Sequence, residues 1–248
     1  MPRFSFRRPA IVLALATALP MVGAVTAHAA DQQFPFPGSC QEIHNLFPFA
    51  RDGDYILFNN GNVFTVFCFD MNGTPREYIN LAVAGPGANF SQYTAGGASP
   101  GTNVRTQFAK LRIDPATLKV DIGDLTFARS FGSLRHAGGT TVTSMPYGVA
   151  MSCISPGDAG GIGNIDLRGT PFRVNNAFLV GGFAATGTAT ASPANQVVNL
   201  SGGGFCGWIA PAPAVFNPFN PSPGDFHLQL SCARQFFFPS REFCIHIG

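Results

Sequence analysis

Six cysteines and the four of the five histidines that follow His28 are the residues of this chain best equipped for chemistry, and their spacing decides which chemistry. Cys40, Cys68, Cys153, Cys206, Cys232 and Cys244 are even in number and widely separated. In an oxidising compartment such a set closes into three disulfides, and six cysteines allow 15 connectivities from sequence alone. A zinc site is the rival reading, because thiolates and imidazoles are the ligands zinc prefers. That reading needs C-x-x-C or H-x-x-x-H pairs, which do not occur; only Cys244-Ile245-His246 brings two ligand types close together. Zinc proteolysis would need H-E-x-x-H, with two histidines one helical turn apart on the metal and a glutamate activating water. His44, His136, His227 and His246 are not spaced in that way. A serine triad is not expected either.

Oxygen donors offer weaker patterns. Asp52-Gly53-Asp54 and Asp70-Met71-Asn72 could face a calcium ion, but both are ordinary turn and Asx-capping sequences. Gly157-Asp158-Ala159-Gly160-Gly161-Ile162-Gly163 has the glycines of a phosphate loop. Such a loop should open a helix, and this one runs into the strand-like Ile165-Asp166-Leu167, so it reads as a flexible turn. Asn72-Gly73-Thr74, Asn89-Phe90-Ser91 and Asn199-Leu200-Ser201 match the glycosylation pattern, and the alanine-rich, bacterial-looking leader implies that they stay bare.

The elements that must position these residues begin after an export signal. Arg3, Arg7 and Arg8, the apolar run from Ala10 to Leu19, and Ala27-His28-Ala29 form the three parts of a signal peptide over residues 1–29, with cleavage after Ala29. Ordinary secretion is favoured over twin-arginine export at Arg7-Arg8. The apolar run, ended by Pro20, is shorter than the roughly 20 residues that span a bilayer, so no transmembrane segment is expected in the mature chain. Losing the leader turns 15 basic against 13 acidic residues into 12 against 13. Without a basic cluster, nucleic acid is not an expected partner. Localisation is secreted or periplasmic.

With 29 Gly and 20 Pro, long helices are not expected. Ser39 is a candidate N-cap for a short helix over 41–46, and Asn59-Asn60-Gly61 between two alternating runs predicts a hairpin. Short strand candidates follow at 78–83, 107–113, 118–122, 124–129, 148–152, 165–167, 172–174, 178–182, 196–200 and 226–231. Residues 85–102 and 210–224 read as surface loops, and 186–192 as a hairpin tip. The expected class is mainly β, sandwich-like or with mixed antiparallel sheets, carrying a short N-terminal helix and disulfides. The 25 phenylalanines are read chiefly as a core between sheets. The strips 34–37 and 216–221 are too proline-rich for ladders.

Cys40-Gln41-Glu42-Ile43, Asp52-Gly53-Asp54-Tyr55, Phe67-Cys68-Phe69-Asp70-Met71 and Thr74-Pro75-Arg76-Glu77-Tyr78 together resemble the opening of a GON domain. Asn89-Phe90-Ser91, the run 108–114, Tyr147-Gly148, Ile165-Asp166-Leu167-Arg168-Gly169-Thr170-Pro171-Phe172 and Gly203-Gly204-Phe205-Cys206-Gly207-Trp208 continue it in order. The opening also resembles fibrinogen-like domains, but Asn72-Gly73-Thr74-Pro75 stands where those carry Gly-Gly-Trp. One family cysteine is missing before Phe205, so family disulfides do not transfer wholesale. Hairpin spacing and the resemblance together imply Cys40 with Cys68; Cys153 with Cys206 and Cys232 with Cys244 are the pairings chosen for the rest.

The expected organisation is a linker at 30–38, a GON-like domain at 39–233 and a tail at 234–248, which Phe236-Phe237-Phe238 and Cys244 tie back. The resemblance implies a binding module, its partner an extracellular or envelope protein or a glycan. The alternative is a secreted hydrolase or a metallopeptidase-associated protein. Zinc enters only through the family's usual metalloproteinase context, and no cofactor is expected.

Overall fold

Ser39 sits in extended backbone, and its Oγ accepts the Glu42 N–H at 3.1 Å, capping α1 (Cys40–Leu46). This is a computed structural model, and it describes residues 36–212, 227–233 and 244–246. The expected signal peptide, the Phe34–Pro37 strip up to Pro35, residues 213–224 of the second loop and Phe236-Phe237-Phe238 lie outside the described residues.

Among the described residues the strands are β1 (Gly53–Asn59), β2 (Asn62–Phe69), β3 (Arg76–Asn80), β4 (Phe90–Thr94), β5 (Val104–Phe108), β6 (Lys110–Asp114), β7 (Lys119–Asp121), β8 (Ala128–Phe131), β9 (Leu134–Arg135) and β10 (Thr141–Val142). They continue with β11 (Ala150–Ser152), β12 (Gly161–Asp166), β13 (Phe172–Val174), β14 (Phe178–Phe183), β15 (Thr186–Ala191), β16 (Val197–Gly203), β17 (Cys206–Pro211), β18 (His227–Cys232) and β19 (Ile245–His246).

The first sheet runs β1-β2-β3-β6-β7-β18-β13, with β19 parallel to β2. Its hairpin β1–β2 turns at Asn60 and Gly61, whose φ values of 50° and 84° are those of the turn that matches strand twist. The second sheet runs β14-β17-β11-β4-β12-β16-β15, and β5 and β8 extend it from β4. Its two outermost strands, β14 and β15, are consecutive in the chain, so the sheet curls back on itself. Trp208 opposes Gly181 on β14, and a Cβ on neighbouring Gly182 would come within 2.5 Å of the indole, so glycine there makes room for the ring.

One apolar cluster takes side chains from both sheets, including Phe64, Leu111 and Leu228 of the first and Tyr93, Met151 and Leu200 of the second. Phe64 meets Phe172 edge-on at 5.2 Å, and Phe108 meets Tyr147 at 5.0 Å. Such pairs add about 0.5–1.5 kcal/mol beyond burial. Three disulfides cross-link the fold: Cys40–Cys68, Cys153–Cys206 and Cys232–Cys244. The last joins β18 to the chain entering β19, which tethers that part of the tail.

Several local expectations differ from the structure. The segment 85–102, read as a surface loop, contains β4, a central strand of the second sheet. The tip at 186–192 is β15, an edge strand of small residues. The run 107–113 is two strands in different sheets, β5 and β6, separated at Ala109. No strand covers 124–127; Phe127 instead packs over the first sheet against Phe67, Phe69 and Tyr78. The last three residues of the glycine-rich turn, from Gly161, already belong to β12.

Candidate functional site

The cysteine clasp positions the first feature. Cys68 on β2 opposes Glu77 on β3, and the Glu77 carboxylate accepts the Cys40 N–H at 2.7 Å. Disulfide and hydrogen bond therefore fasten the start of α1 to adjacent strands. Burial raises the Glu77 pKa above the usual carboxylate value, with the Cys40 N–H pulling the other way.

The opposite face of these strands carries charge. Phe67 opposes Tyr78, Tyr78 opposes Arg112, and Asp121 opposes His227, which aligns them across β2, β3, β6, β7 and β18. The Arg112 guanidinium lies 3.7 Å from Asp121 and 3.8 Å from Asp124, and the Tyr78 hydroxyl donates to Asp124 at 3.0 Å. Lys110 stands over the Phe67 ring at 4.2 Å. An open cleft of about 580 Å3 adjoins this row, lined by Ser39, Asn59, Glu77, Arg112, Asp114, Lys119, Asp121 and His227 among others. Part-exposed ion pairs such as Arg112–Asp121 add only about 0–1 kcal/mol to stability.

A second cluster is buried in the other sheet. The Tyr93 hydroxyl lies 2.6 Å from Ser99 Oγ, 2.8 Å from His136 Nδ1 and donates to Cys153 Sγ at 2.9 Å. Burial pushes the Tyr93 hydroxyl up to about 12, so it is a neutral donor at working pH, and burial lowers His136. The turn Gly96–Ser99 lies against Cys153: the Ala98 N–H reaches the Cys153 carbonyl at 2.8 Å, and a Cβ at Gly97 (φ 53°) would collide with that oxygen.

A third polar centre is structural. Asn89, at φ 51°, donates from its amide nitrogen to the Val83 and Asp166 carbonyls, both at 2.7 Å, and its amide oxygen accepts from the Asp166 N–H and the Tyr147 hydroxyl. Arg168 holds the Asp166 carboxylate below its ordinary pKa through a paired hydrogen bond. The motif pieces around Asn89, Tyr147 and Ile165–Arg168, far apart in sequence, thus meet at one buried knot. Asn89 is fully buried, so this glycosylation pattern is closed to modification, whereas Asn72 and Asn199 are exposed.

The remaining candidates separate. Asp52 accepts the Met71 N–H at 2.8 Å and Asp70 accepts the Thr74 N–H at 3.1 Å, so both carboxylates cap turns, and Arg76 stands 3.7 Å from Asp70. His44 lies on α1, His136 in the tyrosine cluster, His227 at the cleft, and His246 on β19. Among the described residues, His136, Cys153 and Cys206 bring possible metal ligands together, but the two sulfurs are bonded to each other. Sequence reasoning passed over Glu77, Arg112, Asp121, Tyr93 and Ser99; strand register and loop packing assemble them, and only Ser99 carries a local pattern, the G-x-S-x-G of Gly97-Ala98-Ser99-Pro100-Gly101, whose serine meets the Tyr93 hydroxyl.

Among the described residues, two large sheets, one capped helix and three disulfides define a cross-linked, mainly β domain of the kind that oxidising compartments support. A family model described as "GON domain" matches residues 37–102 and 98–216, and the chain belongs to that family. It is 28% identical over 207 residues to "A disintegrin and metalloproteinase with thrombospondin motifs gon-1" of Caenorhabditis elegans, covering 71% of this chain and 9% of that protein. It is 25% identical over 197 residues to "A disintegrin and metalloproteinase with thrombospondin motifs 20" of Mus musculus, covering 70% of this chain and 10% of that protein. The chain thus spans about a tenth of the length of these curated relatives. No solved structure matches it.

Proposed function

We propose that this chain is an exported binding module and that the cleft beside Arg112 and Asp121 receives a polar segment carrying charge of both signs, from an extracellular or envelope protein or a glycan. The observation that carries this reading is the crowding of Arg112, Asp114, Lys119, Asp121 and His227 around one open depression. Three disulfides and the leader expected at residues 1–29 support export. The relatives support a module, since a domain of this kind makes up about a tenth of each.

Charge complementarity across such a cleft sets specificity and association rate more than raw affinity. Capture from native culture supernatant and a glycan array, each run with wild type and with Arg112→Glu, tests the reading. A ligand held by wild type and released by the variant is expected; equal retention by both overturns the placement of the site.

The relatives' printed names favour a second reading, in which the module partners a secreted metalloproteinase. Co-purification of a chelator-sensitive protease with the wild-type protein would support it, and a partner without protease activity would contradict it.

A further inference from the structure

We propose that the Cys153–Cys206 disulfide is a site of thiol–disulfide exchange, in which an incoming thiolate attacks Cys206 and Cys153 leaves toward the Tyr93 hydroxyl. The two sulfurs are unequal. Cys153 is fully buried whereas Cys206 is partly exposed; the four cysteines of the other two disulfides are all buried. An outside thiolate therefore meets Cys206 first, and access is one of the factors that selects the sulfur attacked.

The leaving side is equipped to take charge. Tyr93 donates its O–H to Cys153 Sγ at 2.9 Å, Ser99 Oγ stands 2.6 Å behind that hydroxyl, and His136 Nδ1 lies 2.8 Å from it and 3.8 Å from the sulfur. A donor aimed at sulfur stabilises the thiolate over the thiol, and a better thiolate leaves faster. The approach side is apolar: Phe205 precedes Cys206, Phe183 opposes it in register, and their rings meet edge-on at 5.8 Å while both are exposed.

The step balances without an added oxidant. The incoming sulfur bonds to Cys206 Sγ, the Cys153–Cys206 bond breaks, and its electron pair stays on Cys153, which becomes a thiolate hydrogen-bonded by Tyr93. A second thiolate completes reduction by attacking the mixed disulfide, leaving both cysteines as thiolates and the two external thiols joined. The partner is thus a thiol, and the exposed rings favour a cysteine flanked by apolar side chains. This inference does not rest on the binding reading of the Arg112 cleft.

Native protein would be treated with glutathione, or with a cysteine peptide flanked by leucines, then alkylated and mapped by mass spectrometry over time. An adduct on Cys206 with Cys153 newly alkylated, while the other two disulfides remain closed, is the expected result; faster reaction by the peptide assigns the thiol to a protein, and by glutathione to a small molecule. First opening at Cys40–Cys68 or Cys232–Cys244, or an adduct on Cys153, overturns the proposal. Tyr93→Phe keeps the ring and should slow opening about tenfold through the poorer leaving thiolate. An unchanged rate in a folded variant also overturns it. Should that variant not fold, the adduct position in the wild-type protein still decides.

Discussion

The Glu77 carboxylate accepts the backbone N–H of Cys40 at 2.7 Å from the strand position opposite Cys68, the disulfide partner of Cys40. One residue thereby holds the first turn of α1 by hydrogen bond while its cross-strand neighbour holds it covalently. Glu77→Ala should destabilise the protein by about 1–3 kcal/mol, the usual cost of leaving a buried donor unpaired. Chemical denaturation measures it, and a loss within error would show that water replaces the carboxylate.

The same group gives a pH signature. Its folded pKa is raised by burial above its unfolded value, so the folded state binds the proton more tightly. Its contribution to stability is fully present below the unfolded pKa and is lost as pH rises through the folded pKa. Glu77→Gln keeps an acceptor for the Cys40 N–H and removes the titration. The gap in unfolding free energy between Gln variant and wild type should therefore grow, in favour of Gln, as pH rises from 4 to 7. A gap that shrinks over that range would contradict the burial argument.

Replacing Cys40 or Cys68 by Ser should cost about 3–4 kcal/mol on the chain-entropy account of a loop of this length. The separation closed is 28 residues. Thermal unfolding of both variants under non-reducing conditions checks it, and equal losses are expected because either change opens the same loop.

Asn89→Ala should be among the most damaging polar substitutions. It strips partners from the Val83 and Asp166 carbonyls, the Asp166 N–H and the fully buried Tyr147 hydroxyl. A loss of about 3 kcal/mol or more is expected. Tyr147→Phe removes a single donor and should cost clearly less, so the ratio of the two losses in urea titrations tests whether Asn89 is the centre of the knot.

What the sequence revealed follows from which forces act locally. The Ser39 cap and the Asn60-Gly61 turn were legible because side-chain capping and positive φ are properties of a few adjacent residues. The mainly β class and the presence of disulfides were legible from strand-length runs and the cysteine count. β4 was hidden because Phe90, Ser91, Gln92 and Tyr93 are all buried, so a central strand with polar residues between its rings shows no alternation of apolar and polar. β15 was hidden because Thr186–Ala191 offers only small side chains. The cleft was out of reach for a different reason. Glu77, Arg112 and His227 come from three distant strands, and only the order β3-β6-β7-β18 brings them together. The GON motif pieces were readable as an ordered set, although their shared physical role at Asn89 emerges only from the hydrogen bonds.

The central claim is that the charged cleft on the first sheet binds a ligand. Its most direct test compares wild type, Arg112→Glu, Asp121→Arg and Ile162→Ser in one capture assay on native culture supernatant, with unfolding temperatures measured alongside. Arg112 and Asp121 line the cleft, whereas Ile162 is an exposed residue of the second sheet. Loss of the captured ligand, by at least about tenfold, in both charge reversals but not in Ile162→Ser, with unfolding temperatures held, is the expected result. Undiminished capture by folded Arg112→Glu and Asp121→Arg would contradict the account.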